Sequence, residues 1–425
     1  MIKDLIEKVF KIPRCLACEG NRITLREFSK VCGKIKLISY KSGTKIQDWI
    51  IPKEWLVIKA SLIGPNGKEY INYNENNLSV MVNSITFRGK ISLDNLKKKI
   101  YSIKNLPNAI PYVTSYYNKD WAFCMKYKDI KSLPKGKYFV DLQTKHSEGN
   151  MNIGEIFIKG KSKKEIIFTC NICHPQMANN ELSGPAIQTF LIKNIKNSFK
   201  KNKNFFSYRF LFLPETIGSI AYINKNLKNL KRNCIAGVVL TCLGSNKKFK
   251  IIDTPIKDNY SKKLIISALS LNDFKYEIIS FNERGSDERQ FCFPGVDLPF
   301  TSLVNQKYGD YKEYHTSLDN IEFISEKGMQ NALRVLNSYV LIAEKNCVPS
   351  TPSIGEPKLD IHGIYPKHNT KETRKKIKDQ MNFLAYTNGI NDLIDIAKHS
   401  NLDIQTTFNI FDRLKKNKII YEKKI

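Results

Sequence analysis

From about Glu165 onward, short apolar runs alternate with amphipathic stretches, the pattern of strands joined by helices in a mostly parallel sheet. It predicts strands at Ile166–Ile172, Tyr208–Leu213, Ala236–Cys242, Tyr276–Phe281 and Leu298–Val304, with helices such as Leu182–Ile195 and Ser261–Leu271 between several of them. Upstream the texture differs. Between Trp49 and Lys145 the apolar runs are short and of β type, Trp55–Ala60 and Leu78–Val82 among them, separated by turn signals such as Pro65-Asn66-Gly67. A small β-rich module is expected there. Residues 1–45 mix a helical start with Gly and Cys and carry no readable chemistry.

At the other end, Val348-Pro349-Ser350-Thr351-Pro352-Ser353 reads as a Pro-rich linker. Helical periodicity follows at Thr373–Tyr386, Asn391–His399 and Asp403–Lys416, then the β-type run Ile419-Ile420-Tyr421. Asp392 and Asp403 are placed to cap helices, and Ser400-Asn401 breaks the second from the third. Three helices, a tight second turn and a terminal strand predict a winged helix-turn-helix.

A chain of 425 residues with 42% hydrophobic content has room for two or three folded domains. No apolar run is long enough to span a bilayer, and Lys and Glu interrupt Met1–Ile12, so a cytoplasmic protein without membrane insertion is expected. The formal charge of +29 suggests an acidic partner. Its lysines are scattered singly and in short runs, however, which argues against a nucleic-acid surface covering the whole molecule. The ten cysteines include two CxxC pairs, Cys15/Cys18 and Cys170/Cys173, too far apart to form one zinc ribbon. The second runs on into His174 and matches the spacing of c-type haem attachment. That chemistry belongs outside the cytoplasm, and no export signal is legible.

In an open α/β sheet, ligands bind beyond the carboxyl ends of the strands. The polar residues there form a coherent set: Cys173-His174-Pro175 through Asn180-Glu181 after the first strand, Pro214-Glu215-Thr216 after the second, Arg284-Gly285-Ser286-Asp287-Glu288-Arg289 after the fourth and Tyr314-His315-Thr316-Ser317-Leu318-Asp319 after the fifth. Two histidines and several carboxylates from separate strand ends suit a zinc ion with a position left open for water, and a neighbouring Glu suits the proton transfer.

These blocks, with Asp48–Trp55 and Ile110–Tyr117, resemble those of the bacterial aminopeptidase-like proteins known as DUF4910, which carry an inserted DUF2172 module and a C-terminal winged helix and are distantly similar to M28 zinc aminopeptidases. The resemblance covers nearly the whole chain. It implies a zinc-exopeptidase-like α/β domain over residues 1–45 and 146–346, an inserted β-rich domain over 46–145 and a winged helix-turn-helix over 354–425. His174 and His315 match two metal-binding histidines, and Glu215 the general base. Three carboxylates of that pattern are missing: Asn180 stands for a bridging Asp, Thr216 for the second Glu of a pair, and Thr241 for another Asp. Their loss removes the charge that would hold two ions together, so one zinc is expected.

The resulting assignment gives His174, Glu181 and His315 to the metal, Glu215 and Asp287 to catalysis, and Glu288, Arg289 and Tyr314 to the substrate. A hydrolase acting on a peptide or an amidated sugar, in surface polysaccharide metabolism, is the first reading. An inert ligand sensor or DNA-binding regulator is the second. The third C-terminal helix leads with Asp403, Gln405, Thr406, Thr407 and Asn409 and keeps its lysines to the end, which favours a protein partner over DNA. Homo-oligomerisation is compatible with the sequence and not specified by it.

Overall fold

An eight-stranded sheet organises the larger of two units into which the chain divides. In this computed structural model, describing residues 1–199, 204–364 and 370–424, that unit comprises Met1–Ser261 and Tyr276–Leu333. Its strands are β1 (Lys36–Lys41), β6 (Asn150–Ile158), β7 (Glu165–Asn171), β8 (Ser207–Leu213), β9 (Cys234–Leu240), β10 (Phe249–Ile252), β11 (Tyr276–Ile279) and β12 (Phe300–Val304); β2 to β5 belong to the module described below. Their spatial order is β1-β6-β8-β7-β9-β12-β10-β11. The middle four, β8, β7, β9 and β12, are mutually parallel, and the outer pairs bring in antiparallel neighbours. The fold is thus the expected mixed α/β sheet flanked by helices.

The central strands were predictable because both of their faces are covered, so their sequences are continuously apolar. Every residue of β7 is buried, and Phe168 stacks on Phe210 of β8 at 5.3 Å between rings. Strands β1, β6 and β10 were not predicted. β1 is mostly exposed, β6 mixes Asn, Gly and Glu among its apolar positions, and β10 has only four residues. Helix α1 (Ile2–Phe10), α2 (Glu19–Cys32), α3 (Ser183–Ser198) and α4 (Ile217–Asn233) complete the part that positions the site. The start of α3 presses directly on the end of β9: a Cβ added at Gly184 would lie 2.2 Å from the carbonyl oxygen of Leu240.

Between β1 and β6 lies a four-stranded antiparallel sheet of β2 (Glu54–Ile63), β3 (Glu69–Asn72), β4 (Phe87–Ser92) and β5 (Lys137–Ser147), in the order β3-β2-β5-β4. Trp55, Leu62, Trp121, Phe123, Tyr138, Val140 and Leu142 form its core. The run Leu78–Val82, read as β, instead begins as a single helical turn at Asn77–Ser79, capped by the Asn76 side chain, and only Val80 and Val82 make isolated bridges.

The second unit, Lys262–Lys275 with Arg334–Ile425, contains α7 (Lys371–Ala385), α8 (Leu393–His399) and α9 (Ile404–Lys416); the unit boundary falls inside α5 (Tyr260–Leu271) and α6 (Glu326–Lys345). Asp392 and Asp403 cap α8 and α9 by accepting from the amides of Asp395 at 2.8 Å and Thr406 at 2.7 Å. The Pro-rich linker is corrected in part. Val348–Ser350 forms β13, paired antiparallel with β14 (Tyr421–Lys423), where a two-stranded sheet tolerates Pro349. No described helix is long and apolar enough to cross a membrane.

Candidate metal centre

Parallel register brings the first two site residues together. β7 and β8 run side by side as far as Asn171 opposite Leu213, so the residues that follow emerge next to one another. The Glu215 amide donates to Cys173 Sγ at 3.2 Å, and His174 Nε2 lies 3.7 Å from Glu215 Oε2. Two ligand atoms on one tetrahedral zinc with bonds of about 2.1 Å stand about 3.4 Å apart. The observed separation therefore fits a shared cation.

Glu181 bonds His174 directly. Its Oε2 is 2.7 Å from His174 Nδ1 and its Oε1 accepts from the His174 amide at 2.9 Å. Both oxygens grip His174 from behind, which leaves Nε2 directed to Glu215. Cys173, His174 Nδ1 and Glu181 do lie within 4.8 Å of one another, but all three are buried, and an ion there would compete with the His174–Glu181 bond. Glu181 thus stands beside His174 in the one metal-capable cluster found among the described residues, and in this structure it orients that ring.

His315 reaches the same place by another route. Its ring centre is 5.2 Å from that of His174, and Tyr314 stacks on it at 3.9 Å. Its backbone is left-handed, with φ of 54°, and the strained turn is held by Tyr112, whose amide donates to the His315 carbonyl at 2.8 Å. On either side of Pro111, Ile110 and Tyr112 pair with the 315–317 segment: the Ser317 amide donates to the Ile110 carbonyl at 2.8 Å, and the Ile110 amide donates to Ser317 Oγ at 2.9 Å. The Tyr112 ring is 5.1 Å from each histidine ring. Tyr112, which also packs against the core of the β module, therefore lines the candidate centre.

The fourth strand end supplies Ser286, Asp287 and Arg289. Ser286 donates to Glu215 Oε1 at 3.1 Å; Asp287 Oδ1 accepts from the Thr216 amide at 2.8 Å, while its buried Oδ2 has no partner. Arg289 Nη2 donates to the Thr216 hydroxyl at 2.5 Å and leaves Nε unpaired. Glu288 does not join them. Its oxygens accept from the amides of Gly285 and Ser286 and the hydroxyls of Tyr308 and Ser302, and it is fully buried. With both oxygens so engaged it clamps its own loop.

The missing carboxylates leave a neutral patch. Thr241 donates its hydroxyl to the Asn180 carbonyl at 2.9 Å, and Cys242 Sγ lies 3.6 Å from Asn180 Oδ1. Asp319, given no role from sequence, takes the Asn179 and Asn180 amides at 2.5 and 2.9 Å and so fixes this turn. Arg14 also went unrecognised: fully buried, it donates from Nε to the His174 carbonyl at 3.1 Å. Asp319 lies inside a strand-end block and could have been suspected; Arg14 has no such signal.

Burial and neighbouring charge set the protonation of the site. Burial alone would favour neutral His174, but the pull of Cys173, Glu181 and Tyr112 outweighs it and raises His174 well above the ordinary histidine range. His315 is driven down to about 3, first by burial and then by the charge of His174. Burial and the charge of Glu215 push Asp287 up to about 7, and burial raises Glu215 despite His174 and Arg289.

The family model described as "Domain of unknown function (DUF4910)" matches residues 3–346. The chain belongs to the DUF4910 family. A winged helix-turn-helix model matches residues 346–422 of this DUF4910 protein. A relative from Clostridium acetobutylicum named "Putative polysaccharide biosynthesis protein with aminopeptidase-like domain" is 34% identical over 407 residues, 95% of this chain and 92% of its own. A crystal structure of a "putative peptidase" from Clostridium acetobutylicum superposes with a TM-score of 0.91 at 32% identity, covering 99% of this chain and 96% of that one. BSAP, a zinc aminopeptidase from Bacillus subtilis, shares the fold at a TM-score of 0.56 and 14% identity, over 80% of this chain and 93% of its own.

Proposed function

We propose that this DUF4910 protein is a one-zinc hydrolase of peptide or amide bonds that acts in surface polysaccharide metabolism. The observation that carries the reading is the 3.7 Å approach of His174 Nε2 to Glu215 Oε2, with His315 beside them, at the carboxyl ends of parallel strands. Glu215, expected from the resemblance as the general base, is proposed here instead to join His174 and His315 as ligands, two imidazoles and one carboxylate, with a position left open. A zinc ion bound there supplies Lewis acidity toward the scissile carbonyl and acidifies water.

The chain's own residues do the rest. Glu181 keeps His174 Nε2 turned toward the centre, and Ser286 fixes the Glu215 carboxylate through Oε1. Asp287, held near 7 with Oδ2 unpartnered, takes and returns the proton that the reaction moves. Arg289 offers its unpaired Nε to a substrate oxygen, and Tyr314 and Tyr112 wall the cleft against water. The name of the Clostridium acetobutylicum relative supports a setting in polysaccharide biosynthesis; an aminoacyl or amidated sugar is the substrate class we infer for this chain.

Metal analysis of protein purified without chelator tests this. About one zinc per chain is expected, with hydrolysis of aminoacyl or amidated sugars that chelation abolishes. Metal-free wild-type protein at neutral pH refutes it. The winged helix is assigned to a protein partner, since Asp403 caps α9 at its leading end and Lys415 is tied to Glu422 at 2.6 Å. Salt-sensitive binding of duplex DNA would reverse that assignment.

A further inference from the structure

The pair Cys15/Cys18 lies outside the proposed hydrolytic centre and has a geometry of its own. Cys18 is the N-cap of α2, a helix of fourteen residues, and its sulfur accepts from the Cys15 amide at 3.3 Å. Asn21, almost fully buried, holds both ends of the motif: its Nδ2 donates to the Cys15 carbonyl at 2.6 Å, and Cys18 Sγ donates to its Oδ1 at 3.3 Å. The first turn of α2 packs so closely on the preceding loop that a Cβ at Gly20 would fall 1.6 Å from the Pro13 carbonyl oxygen. The two cysteines are thereby fixed in one tight turn.

Both thiols border a cavity of about 320 Å³, whose wall includes Arg14, Trp55, Tyr73 and Lys145. Cys18 is 8% exposed and Cys15 2%, so the cavity gives Cys18 the easier approach. Arg14, 1% exposed, brings a positive charge to this wall and keeps Nη2 without a partner. A helix N-terminus and a nearby cation both favour thiolate over thiol. Among the ten cysteines only Cys18 has its thiol shifted down, chiefly by its bond to Cys15; Cys15 and the rest are shifted up.

We propose that Cys15 and Cys18 form a reactive dithiol that a small-molecule disulfide, entering this cavity, oxidises to an intramolecular disulfide. Cys18 loses its proton to solvent, and its thiolate attacks one sulfur of R–S–S–R, forming Cys18–S–S–R and expelling RS⁻. Cys15 then gives up its proton and displaces the second RS⁻ from Cys18. Two protein thiols are oxidised, and one disulfide is reduced to two RSH. The Cys170/Cys173 pair provides the contrast, since both of its thiols are pushed up by burial.

The test uses the reduced full-length chain and bis(2-hydroxyethyl) disulfide, with acid quenching, alkylation of remaining thiols and peptide mapping by mass spectrometry. The expected result is loss of both alkylation sites in the peptide carrying Cys15 and Cys18, at least tenfold faster than at any other cysteine, reversed by dithiothreitol. Cys15→Ser should trap a stable mixed disulfide on Cys18, and Cys18→Ser should leave Cys15 unmodified. Oxidation elsewhere at a comparable rate, no oxidation of the wild-type pair, or an adduct on Cys15 in Cys18→Ser would overturn the proposal. None of these readouts depends on the hydrolase reading, and the wild-type map decides even where a variant misfolds.

Discussion

His174 and His315 lie side by side, their ring centres 5.2 Å apart, but are held there by opposite means. His174 follows a fully buried strand and is gripped by a carboxylate through both its ring and its amide. His315 sits on a strained turn, with aromatic rings on two sides and a backbone stitch from the β module. Cys173 and the Glu181 carboxylate make one imidazole more basic, whereas burial makes the other less so. A cation shared by both would replace the proton on His174 while finding His315 already neutral.

The largest break in this comparison is His174→Ala, expected to abolish metal binding in an equilibrium titration. Glu181→Gln should keep the ligand and loosen its hold, weakening metal affinity by about 10- to 100-fold. If Glu181 were itself a ligand, that variant would lose the metal as completely as His174→Ala. On the other side, Tyr112→Leu removes the ring contacts to both histidines and should cost about 1 kcal/mol in denaturant unfolding, with a smaller loss of metal affinity than Glu181→Gln.

Metal-free protein sharpens the contrast through pH. His174, raised in the folded state, stabilises the fold below its unfolded value near 6.5 and loses that contribution as pH rises through its folded value. His315, depressed to about 3, does the reverse: the unfolded chain takes up a proton that the folded chain refuses, so stability falls as pH drops from about 6.5 toward 3. Relative to wild type, the denaturant curves of His315→Asn should differ in slope between about pH 6.5 and 3, and those of His174→Asn above about 6.5, with opposite sign. Equal tilts would mean that the two rings share one environment.

The parts legible in the sequence were those set by local pattern. Strands buried on both faces announce themselves as apolar runs, and the rule that ligands gather at strand ends located His174, Glu215, Asp287 and His315. Distances of a few ångströms between groups were not legible, and these separate a ligand from the residue that orients it. Hence Glu181 and Glu288 are placed in the right blocks, while the bonds that tie one to His174 and the other to its own loop are not readable from them. Tyr112 escaped because its partners lie some two hundred positions along the chain, the bond between Ile110 and Ser317 spanning 207. No window of sequence carries that pairing.

That same span bears on how the molecule assembles. Closing a loop of such length has an entropic cost that local strand and helix formation does not meet, so the Pro111 stitch belongs among the late contacts. On refolding from denaturant, far-UV circular dichroism should recover before the metal binding proposed for the protein does. The chain would then pass through a state with its sheet built and its second histidine still unplaced.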